Sequence, residues 1–178
     1  APHSKAGFLF SIKIREGYIL DVGCGNNGPM KAKSILDKIY YVGIDVGNYN
    51  QSKESQKYAD EYIVVNSSHF ADKISTFDNL FDVVISSHNI EHYEPQKVLA
   101  AMIKALKRNG RLFMSFPSER SANFPKRNGT LNFYDDSSHK NLPDWNNILN
   151  TLQSNGMQLC YVKKSYQPFL MKLIGNLN

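Results

Sequence analysis

An acid set against a glycine loop is the first place where residue types and spacing in this chain point to chemistry. In YILDVGCGNNG, residues 18–28, Asp21 closes an apolar run, and Gly23, Gly25 and Gly28 follow at GxGxxG spacing. Such a turn brings backbone N–H groups against a ligand at a helix N-terminus. Asp45 ends a second apolar run, near the place where an acid can accept the hydroxyls of a ribose. That spacing leaves a dinucleotide open, and Asp21 is the better discriminator. Its carboxylate would repel a pyrophosphate, yet it would attract a cofactor carrying an ammonium and a sulfonium in a partly desolvated cleft.

Histidines offer a second kind of chemistry. His88 and His92 in SSHNIEHY, and His139 in NFYDDSSHKNLP behind Asp135 and Asp136, are candidates for a general base. Of these, His88 and His139 are the catalytic candidates, while His92 reads as a structural residue at the start of a helical region. The two cysteines, Cys24 and Cys160, lie far apart and form no CxxC pair, so neither a zinc nor a disulfide scaffold is expected. No metal site is read from the sequence.

The elements that must position these groups alternate along the chain. After an apolar lead-in at 8–15, strands are expected at 18–22, 40–45, 61–65, 81–86, 111–116 and 157–164. A helix over about 29–38 would bury Met30, Ile35, Leu36 and Ile39. Another starts near Pro95, carries Val98, Leu99, Met102, Ile103 and Leu106 at helical spacing, and stops before Gly110. A last one is capped by Asp144, presents Trp145, Ile148, Leu149 and Leu152 on one face, and ends at Asn155 and Gly156. Residues 47–57 read as loop, and 69–77 as loop or short helix. Residues 118–142 are polar and punctuated by Pro and Gly, too long for a simple connection, which suits a substrate loop. The alternation predicts an α/β fold: a Rossmann-like, open, mostly parallel sheet with helices on both faces. Ligands of such sheets lie beyond the carboxyl ends of the strands, which puts Gly23, Asp45, Asn66 and Ser86 on one rim.

Four segments, ILDVGCG, YVGID, FDVVISSHNIEHY and ALKRNGRLFMSFP, resemble in that order the motifs of class I S-adenosylmethionine-dependent methyltransferases, of the methyltransferase type 11 kind. The resemblance implies S-adenosyl-L-methionine as cofactor and S-adenosyl-L-homocysteine as product. It implies that Asp21, Gly23, Cys24 and Gly25 surround the methionine portion, that Asp45 accepts both ribose hydroxyls and that Val46 lies against the adenine. Asn66 and Ser67 stand where many members carry an acid for the adenine amine, and Ser86 and Ser87 would close the pocket. The reaction implied is in-line methyl displacement. A faint likeness of NFYDDSSHKNLP to methyltransferases of surface-polysaccharide biosynthesis suggests O-methylation of a small-molecule or glycan acceptor. The alternatives are an RNA or protein methyltransferase, a non-catalytic binding relative, and a nicotinamide oxidoreductase. Two departures from the family stand out: Asn27 replaces a glycine of the loop, and no clear seventh strand follows the sixth. A missing edge would leave the fifth strand partly unpaired and open to pairing as a homodimer.

Composition agrees with these expectations. The 178 residues, 42% of them hydrophobic, suit a single globular domain with a sizeable core. The net charge of +5 is spread over the chain without an aromatic-interleaved basic stripe, so a nucleic-acid partner is not expected. No apolar run reaches the roughly 18 residues of a membrane span, and the first residues do not read as a signal peptide, so a cytoplasmic protein is expected.

Overall fold

The computed structural model describes residues 4–12, 14–47, 57–126 and 132–163. Within them, five strands form one parallel sheet in the order β3-β2-β1-β4-β5. These are β1 (Gly17–Val22), β2 (Ile39–Asp45), β3 (Glu61–Val64), β4 (Phe81–Ser87) and β5 (Leu106–Ser115). The helices are α1 (Lys5–Ser11), α2 (Gly28–Ile35), α3 (Phe70–Ser75), α4 (Pro95–Ala105) and α5 (Trp145–Ser154). Parallel strands need crossovers, and these helices cover both faces, which is why the central strands are nearly continuously apolar.

Side chains alternate between the two faces with the period of a strand. Leu20 and Val22 of β1 join Val42, Ile44, Phe70, Val84, Leu99, Met102 and Ile148 in one core, beneath α3, α4 and α5. Ile19 packs on the other side with Leu9, Ala32, Tyr41, Val83 and Ile85, beneath α1 and α2. Register sets Asp21 between Gly43 and Ile85, and Val22 between Ile44 and Ser86, so the ends of β1, β2 and β4 form one rim. No described helix is long and apolar enough to cross a membrane.

Several boundaries differ from the sequence expectation, each for a local reason. The lead-in is a helix: Ser4 Oγ accepts from the Gly7 N–H at 3.1 Å, and Phe8 and Leu9 are buried. The next helix ends at Ile35; Met30 is exposed, and Gly28, Pro29 and Ala32 face inward instead. The long amphipathic helix stops at Ala105. Leu106 turns to φ −74°, ψ 138° and pairs with Phe81, so it opens β5. The strand then bulges, with Asn109 at φ 66°, before Arg111 pairs with Val83. Residues 157–163 form no strand. Met157 N–H turns back to the Leu152 carbonyl at 3.0 Å and the residues after it are exposed, while Lys164 lies outside the described residues. Most of the expected loop at 47–57 also lies outside them.

Candidate cofactor and acceptor site

Asp21 is fully buried at the end of β1, and its Oδ2 already holds a cation. Lys5 Nζ, reaching in from α1, donates to it, and so does the Tyr41 hydroxyl from β2. Burial, followed by the Asp21 charge, pushes the Tyr41 phenol well above its ordinary pKa, so it stays a donor. Asp21 Oδ1 is buried with no hydrogen-bond partner among the described residues. The attraction of this carboxylate for cations, read from the sequence as aimed at a ligand, is answered first by the protein's own lysine.

The glycine loop is tied to β2, where the Gly23 and Cys24 N–H groups both donate to the Ile44 carbonyl, at 2.9 and 3.4 Å. Gly23 and Gly25 take φ of 70° and 61°, the left-handed region that favours glycine. Among the described residues, nothing lies within 4 Å of where a Cβ at Gly25 would stand. At Gly23 a Cβ would lie 2.9 Å from Asn89 Cβ and closer still to its amide. Gly23→Ala is therefore expected to lower stability by about 1–3 kcal/mol, because it adds both backbone strain and overlap. Urea unfolding of the variant measures this loss. Asn27 sits at φ −114° before α2, a backbone that needs no glycine, so its departure from the family loop is conformationally neutral. The Cys24 thiol is buried against Gly43, and desolvation, then the charges of Asp21 and Asp45, keeps it protonated.

Asp45 ends β2 with its carboxylate held by the loop. Its Oδ2 accepts from Gly25 N–H at 2.8 Å and its Oδ1 from Val46 N–H at 2.7 Å. Burial raises its pKa, and these two N–H groups pull it part of the way back. A carboxylate has about four acceptor positions, so two remain for a ligand's hydroxyls. On the same rim Ser86 Oγ and Asn89 Oδ1 are buried without hydrogen-bond partners among the described residues. Orphaned polar atoms beside an open glycine turn fit a polar cofactor laid across the ends of β1, β2 and β4. Ser87 Oγ instead pairs with Ser115 Oγ at 2.9 Å. Asn66 is exposed and uses its side-chain oxygen to cap the turn that starts at Ser67.

The histidines gather beyond β4. His88 is exposed at φ 50°, a strained backbone for a residue with a side chain, with Nδ1 3.5 Å from Glu91 Oε1. The buried Glu91 carboxylate raises the His88 pKa. Lys140 and Asn141 N–H both donate to the Glu91 carbonyl, at 2.9 and 3.1 Å, which draws the long loop in and sets His139 against His92, ring centroids 5.0 Å apart. The sequence did not single out Lys5, Tyr41, Asn89 and Glu91. Only Glu91, an acid set between two of the candidate histidines, carried a local signal.

Sheet order, glycine loop and strand-end acids together define a Rossmann-like methyltransferase fold. A profile of the methyltransferase domain matches residues 20–114, just over half of the chain, and the chain belongs to that family. The methyl donor of the family is S-adenosylmethionine, and the chain is an enzyme of this class. No curated protein sequence matches it. Among solved structures it is similar to the YcgJ protein of Bacillus subtilis, with TM-score 0.66 and 17% identity over 97% of this chain and 77% of that one. Phosphoethanolamine N-methyltransferase 2 of Haemonchus contortus, solved with S-adenosyl-L-methionine, gives TM-score 0.60 and 18% identity over 83% and 34%. A geranyl diphosphate methyltransferase in complex with GPP and sinefungin gives 0.61 and 15% over 85% and 57%. The chain thus spans about a third of the length of the former and just over half of the latter. At these identities the likenesses speak for the fold.

Proposed function

We propose that this chain methylates a hydroxyl of a small-molecule or glycan acceptor. The observation that carries the reading is the placement of His88, His92 and His139 around the buried Glu91, beyond the end of β4 on the rim that bears Asp45. A hydroxyl acceptor needs a proton acceptor, whereas an amine or thiolate needs less.

S-adenosylmethionine, when bound, supplies a methyl group on a sulfonium. In this reading Asp45 accepts the two ribose hydroxyls and Val46 lies against the adenine, with Asn66 and Ser67 at its far end. Asp21, Gly23, Cys24 and Gly25 surround the methionine portion, chiefly through backbone, and Ser86 and Ser87 close the pocket. The described parts of the long loop, 118–126 and 132–142, form the acceptor side, and His139 or His88 takes the hydroxyl proton. The main contribution of the protein is to hold the acceptor oxygen in line with the departing sulfur, an effect worth up to about 7–11 kcal/mol.

Calorimetric titration with S-adenosylmethionine is expected to show one site, followed by release of S-adenosylhomocysteine in a screen of hydroxyl-bearing sugars and small molecules. No cofactor binding, or turnover only with RNA or protein, would overturn the reading.

A further inference from the structure

We propose that Glu91, His92 and His139 form a binding site for a divalent transition-metal cation, with zinc as the best match to the donor set. Their ligand atoms all lie within 4.8 Å of one another. One buried carboxylate and two imidazoles suit zinc or cobalt better than magnesium or calcium, which take oxygen donors.

Three independent features prepare these groups as ligands. Glu91 is fully buried, and among the described residues neither of its carboxylate oxygens has a hydrogen-bond partner. A buried carboxylate is costly unless cations answer it, and the exposed His88, with Nδ1 3.5 Å from Oε1, gives only a loose ion pair that leaves Oε2 unanswered. His139 Nδ1 lies 2.7 Å from the Phe133 carbonyl. A carbonyl only accepts, so Nδ1 carries the proton and Nε2 presents its lone pair. His92 repeats the arrangement, with Nδ1 3.2 Å from the Ser138 carbonyl. Metal-bound histidines are held this way, with the second nitrogen donating to a backbone carbonyl or carboxylate.

The chain arrives at this geometry from two distant segments. Glu91 and His92 lie in the short turn Ile90–His92 after β4, and His139 follows the turn Phe133–Asp135, which Asn132 caps. The Lys140 and Asn141 N–H bonds to the Glu91 carbonyl fasten one to the other. Bonds of about 2.0–2.1 Å in a tetrahedron hold ligands roughly 3.3 Å apart, so the cation would draw the loop inward and staple it over the rim. No motif announces such a site, because its members are separated by the whole of α4 and β5.

Binding of the cation stands on its own. Its role toward the acceptor rests on the O-methylation reading, where it would make His139 a ligand and leave His88 to take the proton. The test is titration of the full chain, without acceptor, first with zinc and then with cobalt. One equivalent is expected, with cobalt absorption bands of nitrogen and oxygen ligation and a rise in melting temperature. His92→Ala and His139→Ala, checked for folding by circular dichroism, should each weaken binding at least roughly tenfold, while His69→Ala, away from the cluster, should leave it unchanged. No stoichiometric binding, equal affinity in the histidine variants, or a thiolate-to-cobalt band placing the ion on cysteine would each overturn the site. S-adenosylmethionine binding in the same samples separates failure of this site from failure of the methyltransferase reading.

Discussion

Replacing Lys5 with methionine is expected to lower the free energy of unfolding by about 3 kcal/mol, read as a shift of the urea midpoint. Asp21 has no exposed surface, and the Lys5 side chain that neutralises it is only 21% exposed. Methionine keeps the apolar stem of the lysine and removes the charge, leaving the Asp21 carboxylate with the Tyr41 hydroxyl alone. A buried charge that loses its partner costs far more than the pair contributes, because desolvation is no longer offset. The double variant Lys5→Met with Asp21→Asn should recover most of the loss. An asparagine oxygen can still accept from Tyr41, and no uncompensated charge remains. A double variant as unstable as the single one would show that the loss comes from packing of α1 and not from charge.

The pair also sharpens what was legible in the sequence. The acid before the glycine loop was readable because it interrupts an apolar strand, a position where a charge needs a reason. The reason seen first is internal. Lys5 lies in a seven-residue helix whose capping serine and two buried aromatic and aliphatic residues are too few to outweigh its shortness as a sequence signal. Central strands were readable to within a residue or so, because burial on both faces writes an apolar run directly into the chain. The far edge was not. Leu106 continues the helical spacing of α4, yet it gains a strand partner in Phe81, and tertiary pairing overrides the local pattern. The histidine cluster was half legible: His139 was visible as a reactive type in a long loop, but its neighbours depend on two backbone hydrogen bonds to the Glu91 carbonyl that no spacing encodes.

Asp45→Ala is expected to weaken S-adenosylmethionine binding by about a hundredfold, measured by calorimetry. A hydrogen bond to a charged group contributes about 1.5–3 kcal/mol, and each 1.4 kcal/mol is a factor of ten. The variant would lose the proposed bonds from the ribose and also free the Gly25 N–H that the carboxylate now holds, loosening the loop. A pH profile separates the charge from the loop geometry. Burial raises the Asp45 pKa, opposed by the N–H groups of Gly25 and Val46; Asp21 adds to the rise and His92 opposes it. For an acid raised in the folded state, the contribution to stability is fully present below the unfolded pKa and is lost as pH rises through the folded one. Cofactor affinity should run the other way, since hydroxyls bind best to the charged carboxylate, and should fall with acid at a higher pH than an ordinary aspartate would give. Asp45→Asn should keep much of the loop and flatten the acid limb of that profile. An unchanged limb in the asparagine variant would assign the titration to another group and remove Asp45 from the ribose.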